Sequence, residues 1–100
     1  MKLGRSYIRK MAHKVIGFAL ANSDNSLYIE KQIEAIKNSL PDLDIEQADE
    51  TDSRLIQVKG KVAFPLYLVL KHGVHKRQKI GKYGDDIIID WINNINGIHA

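Results

Sequence analysis

Two serines, Ser23 and Ser26, enclose Asp24-Asn25 in a run of small polar residues that begins at Asn22. At the start of a helix such side chains do one of two things. They cap it, because a serine or aspartate oxygen accepts from the first free backbone N–H groups. Or they line a site in which those N–H groups and the helix dipole hold an anion or a carboxylate. As a nucleophile a serine needs a general base beside it, and no histidine lies in this turn. Phe64-Pro65, with Tyr67 just beyond, offers a backbone edge on which an extended peptide can dock; the plainer reading is a strand entrance with core side chains. His72 and His75 are two imidazoles across a tight turn, too few to hold a metal without carboxylate help. Lys71, Lys76, Arg77, Lys79 and Lys82 suit phosphate groups, or they simply keep an edge strand from pairing with another chain. Strict alternation along a strand would put Lys76 and Lys79 on opposite faces, wrapping the patch around the strand. Tyr83 and Trp91 do not supply the aromatic interleaving of single-strand binders. Asp85 and Asp86 have the proximity of an acid–base pair, but ahead of a helix they more simply cap it and offset its dipole.

These residues must be carried by regular elements. Ser6–Met11 is predicted to form a short helix. Val15–Ala21 is continuously apolar over strand length, which predicts a strand covered on both faces. The polar cluster at 22–26 ends it and starts a helix in which Ile29, Ile33, Ile36 and Leu40 form one stripe, stopped by Pro41. Leu43–Gln47 alternates as a short strand and closes a βαβ unit with parallel strands. Asp52 or Ser53 caps a short helix through Arg54–Val58. Pro65–Lys71 is a strand, His72-Gly73 a two-residue turn, and Val74–Ile80 the return strand. Gly81 and Gly84 frame a loop. Asp85 or Asp86 caps a final helix bearing Ile87, Ile88, Trp91, Ile92 and Ile95, ended by Asn96-Gly97. The fold class is therefore α/β: a four-stranded mixed sheet, βαβ then ββα, with helices on both faces.

Composition narrows the function classes. One hundred residues with 44% apolar content suffice for one domain and one core. No apolar run approaches the ~20 residues of a membrane helix, and Lys2 and Arg5 are not followed by a signal-peptide core; a cytoplasmic location is the expectation. There is no cysteine, which excludes disulfides, thiolate chemistry and Cys-bound zinc. No metal and no cofactor is expected. The net charge of +3 conceals segregation: nine acids against three Lys/Arg over residues 21–57, then seven Lys/Arg and no acid over 58–84. A basic segment of this kind meets an acidic partner or nucleic acid, or faces water.

Three pieces, in order and spacing, resemble the thioredoxin-like family. Phe64–Gly73 resembles its apolar–proline–strand–hairpin segment. Lys79-Ile80-Gly81-Lys82-Tyr83 and the helix to Ile92 resemble its last loop and helix. Val15–Ser26 resembles its first central strand and active-site turn. The resemblance spans roughly residues 14–96, with 1–13 as an extension and 14–97 as the domain; the stretch from Gln47 to Pro65 is unlike the family. It implies a Cys-x-x-Cys position occupied here by Ser23-Asp24-Asn25-Ser26, a cis-proline position occupied by Phe64-Pro65, and a buried acid position near Gly17. A hydroxyl has no disulfide couple, and a helix dipole worth about 1 kcal/mol does not ionise it. The implied function is a redox-inactive protein- or peptide-binding module using Ser23, Asp24, Asn25, Ser26, Phe64 and Pro65. Two alternatives stand beside it. One is an oxidoreductase whose active-site cysteines have been exchanged for serine, against which Gly17 argues. The other is a small basic nucleic-acid-binding protein.

Overall fold

The computed structural model describes residues 13–95. The first strand, β1 (His13–Phe18), leads through a turn into helix α1 (Asp24–Ser39). Strand β2 (Ile45–Ala48), a 3-10 helix (Ser53–Gln57), strands β3 (Leu66–Lys71) and β4 (Val74–Ile80), and helix α2 (Asp85–Asn93) follow. The sheet order is β2-β1-β3-β4, with β2 parallel to β1 and the other pairs antiparallel. A mixed sheet with βαβ followed by ββα is thus what the chain builds. The two central strands are the ones with unbroken apolar runs, since only they are covered on both faces and flanked on both edges.

The core has two layers. Above the sheet, Val15, Tyr67 and Val69 meet the stripe Ile29, Ile33 and Ile36 of α1 and Ile88 and Ile92 of α2. Below it, Ile16, Phe18, Leu66, Leu68 and Leu70 meet Val58, with Leu55 and Phe64 packed against them. Both α-helices therefore lie on one face, and the helix of the second face is the 3-10 turn.

Element ends differ from the sequence expectation for local reasons. Strand β1 begins at His13, which pairs with Lys71, and ends at Phe18, opposite Leu66. The apolar run continues, but after Ala19 N–H donates to Ala48 O (3.1 Å) the chain turns away, leaving Leu20 exposed and Asn22 at φ 57°. Strand β2 begins two residues and ends one residue later than Leu43–Gln47, Ala48 being the partner of Phe18. The expected helix through 54–58 is a 3-10 helix; the Asp52 carboxylate accepts from Arg54 N–H (2.9 Å) and starts it. Neither Asp85 nor Asp86 caps α2. Gly84 holds that position without a side-chain bond, and the two aspartates stand in the first turn, where they offset the dipole. The helix ends at Asn93, with Asn94 as its cap. The proposed helix at 6–11 and Asn96-Gly97 lie outside the described residues.

The β3–β4 hairpin turns on His72 (φ 52°) and Gly73 (φ 79°). Such two-residue turns twist as the strands do and demand positive φ at both positions. A bulge interrupts the ladder: Val69 pairs with Arg77 and Leu70 with His75, so Lys76 is the extra residue. Arg77 opposite Val69 shares its face with Lys79 opposite Tyr67, and Lys76 is the residue inserted between Arg77 and His75.

Candidate functional site

Three segments meet at one end of the sheet. Phe18 pairs with Leu66, so the turn leaving β1 and the Phe64-Pro65 entrance to β3 are adjacent. Pro65 O accepts from Gly81 N–H at 2.9 Å, which brings the loop after β4 to the same end. The Phe64–Pro65 peptide bond is cis. Pro65 is buried, whereas Phe64 is half-buried against the lower core, as are Ala48, Leu55 and Ile80.

Within the first segment, Ser23 is the N-cap of α1. Its Oγ donates to Leu20 O (2.6 Å) and accepts from Ser26 N–H (3.3 Å). Ser26 is held from the other side: Gln47 Nε2 donates to its carbonyl (3.1 Å) and to its Oγ (3.2 Å). The Glu50 carboxylate accepts from Ala21 N–H at 2.9 Å. Both hydroxyls thus have structural roles, and no histidine or other base among the described residues bonds to either. Asp24 is exposed and Asn25 half-buried on the first turn of α1. A shallow groove of about 360 Å³ runs between this turn and the end of β2, lined by Asn22, Ser26, Gln47 and Asp49. Leu20 and Leu27, 41% and 58% exposed, flank the cap, an apolar fringe in a place where capping alone requires none.

Beneath the turn, Gly17 faces the upper layer. A Cβ there would stand 2.9 Å from Tyr67 Cε1, its cross-strand partner, and 3.0 Å from Ile29 Cγ2. The Tyr67 ring fills the space in which a larger residue at 17 would sit. Its hydroxyl donates to Gln32 Oε1 (2.9 Å). Gln32 Nε2 in turn lies 2.8 Å from Tyr83 O, 3.0 Å from Asp85 Oδ1 and 3.0 Å from Tyr28 Oη. Tyr28 Oη also accepts from Tyr83 N–H (2.9 Å) and donates to Tyr83 O. Burial pushes the Tyr67 phenol far above its ordinary range, so it stays neutral and acts as a donor. Sequence reasoning missed this network. Its one signal was Gln32, a polar side chain on the buried stripe of α1, 2% exposed.

The remaining candidates separate. Asp85 Oδ1 is engaged by Gln32 Nε2, a structural partner. His75 Nε2 lies 3.1 Å from Gln78 Oε1, and no cluster of metal-binding side chains exists among the described residues. Lys71 ends β3, Lys76, Arg77 and Lys79 lie along β4, and Lys82 stands in the loop after it, at the end of the sheet where the Ser23 turn also lies. Lys79 Nζ sits 4.4 Å from the Tyr83 ring centroid, and Lys82 Nζ sits 5.1 Å from that of Tyr28.

Neither a family model nor a curated protein matches this sequence. Solved structures do. A mutant thioredoxin of Halobacterium salinarum superposes with a TM-score of 0.68 at 14% identity, covering 95% of this chain and 84% of that one. This chain has the thioredoxin fold. The thioredoxin of Fasciola hepatica gives 0.67 at 17% identity, over 95% and 89% of the two chains. Oxidised thioredoxin of Plasmodium falciparum gives 0.65 at 15%, over 93% and 89%. At these identities the likeness is one of fold. Within that thioredoxin fold, no helix among the described residues is long and apolar enough to cross a membrane.

Proposed function

We propose that this chain is a redox-inactive thioredoxin-like module that binds a protein or an extended peptide at the end of the sheet formed by Ser23–Ser26, Phe64-Pro65 and the 81–83 loop. Disulfide exchange needs a thiolate, and the sequence contains no cysteine. The observation that carries the reading is the pair Leu20 and Leu27. Both are exposed beside a helix cap whose own polar groups are satisfied internally. Apolar side chains held on a rigid rim suit a partner's surface, and a strand entrance beside them suits backbone pairing. Asp24 and Asn25 supply polar contacts at the edge of that rim. The reading includes no cofactor and no metal, and it places the protein in the cytoplasm.

The alternative, an oxidoreductase stripped of two cysteines, meets an obstacle at Gly17. Exchange of the sulfurs alone would leave a buried acid beneath the turn, whereas here the glycine is matched by Tyr67 packed over it. The codons at positions 23 and 26 in the source genome separate the two: serine codons are expected, and cysteine codons would overturn the proposal. Binding is tested by affinity capture with the parent and two variants, Leu27→Ala and Phe64→Ala. A partner retained by the parent and by Lys37→Ala but lost by both variants is the expected outcome. Equal recovery with all four proteins would move the site elsewhere.

A further inference from the structure

On the far edge of the sheet, residues 58–84 contribute seven Lys/Arg and no acid. None of these cations takes part in the ion pairs found among the described residues, which join Lys14 and Arg54 to Asp44, Glu46 and Asp52. Three features gather them. The register puts Arg77 opposite Val69, one step from Lys79 opposite Tyr67 and on the face of Lys71, and the bulge inserts Lys76 as an extra residue beside Arg77. The Gln78 side chain on the other face accepts from Lys59 N–H (2.7 Å) and donates to Lys59 O (2.7 Å), which fastens the segment bearing Lys59 and Lys61 beside the strand. Rings of Tyr83 and Tyr28 hold the ammonium groups of Lys79 and Lys82 in place, so less side-chain freedom remains to be lost on binding.

We propose that this edge, formed by β4 and the segment fastened beside it, binds the phosphate backbone of a nucleic acid. The chemistry favours that polyanion over an acidic protein for two reasons. A protein interface needs an apolar centre and is depleted in lysine, and the only strongly exposed apolar residue on β4 is Val74. An acidic strand adding to the edge needs open backbone acceptors, and Arg77 Nη1 donates to Lys76 O at 2.9 Å, covering one of them. A phosphate backbone asks only for closely spaced cations without interleaved acids.

The test is fluorescence polarisation of a labelled single-stranded oligothymidylate against the full chain. With about five phosphate contacts, binding should weaken about 100-fold between about 50 and about 200 mM salt. Lys76→Gln should lower the salt slope by about 0.7. The triple variant Lys71→Glu/Lys76→Glu/Arg77→Glu, shown by circular dichroism to be folded, should lose binding, while Lys31→Glu/Lys37→Glu on α1 should retain it. Absence of binding at the lowest salt would overturn the proposal, as would equal loss in the α1 variant. Displacement of the oligonucleotide by polyglutamate of the same charge at equal concentration would also overturn it, assigning the edge to an acidic protein.

Discussion

A methyl group at position 17 would lie within 3.1 Å of atoms from Tyr67, Ile29 and Ile33, and all three neighbours are packed in the upper core. Gly17→Ala is therefore expected to destabilise the protein by about 1–3 kcal/mol, the range for overpacking, read as a lower urea midpoint. The double variant Gly17→Ala/Tyr67→Leu should recover part of the loss; no recovery would mean that the ring is not what occupies the space. Ser23→Ala removes the oxygen that accepts from Ser26 N–H and should cost about 1 kcal/mol. The capping role of Ser23 was legible in the sequence, because a serine ahead of a helical stripe has few other local uses. The filling of the Gly17 site was not. Tyr67 reads as one more apolar residue of a buried strand, and nothing local says which cross-strand partner its ring will cover.

The elements themselves were legible wherever a period was long enough to be seen. The α1 stripe and β3 fall where the apolar pattern puts them, and β1 overlaps its apolar run but starts two residues and ends three residues before it. The bulge at Lys76 was not legible, since one inserted residue leaves no mark on a strand already rich in charge. The 3-10 helix was half legible: Asp52 announces a start, but five residues cannot distinguish 3-10 from α. Beside the packing of Leu55 on the lower core, its attachment is ionic. Arg54 Nη2 lies 2.5 Å from Glu46 and 2.8 Å from Asp52, and Lys14 Nζ lies 2.9 Å from Glu46. Because these groups are partly exposed, Arg54→Met should cost only about 1 kcal/mol. The Gln32 network carries more. Gln32→Leu leaves the buried Tyr67 hydroxyl without its acceptor and should cost about 1–3 kcal/mol. Hydrogen exchange should also quicken at Tyr83 N–H, whose acceptor Tyr28 loses its neighbour. Unchanged exchange there would show that the loop does not depend on Gln32.

At the scale of the whole molecule, stability should respond to pH in two separate windows. His13 is buried with neither ring nitrogen hydrogen-bonded among the described residues. Burial first, then the charges of Lys71, Lys76 and His72, hold its pKa below the ordinary 6.5. A depressed imidazole contributes stability that is present above 6.5 and is lost as pH falls toward its lowered value. His13→Leu should flatten the decline that sets in as pH falls below 6.5; an unchanged slope would acquit this residue. Asp52, pulled by the Arg54 hydrogen bond to about 2 from 3.8, acts lower. Its contribution is present above 3.8 and disappears as pH falls through about 2. The charge segregation visible in the sequence becomes geography in the fold: on the β4 edge, cations that form no ion pair among the described residues, and acids around α1 and β2. The site at the end of the sheet is what composition could not reveal, because it depends on three segments brought together from across the chain. The most direct measurement is a heteronuclear NMR titration of the parent chain with a peptide selected against it by display. Shifts concentrated at Asn22–Leu27, Phe64–Leu66 and Gly81–Tyr83 are expected. Shifts confined to another face, with these three segments unmoved, would contradict a docking site there.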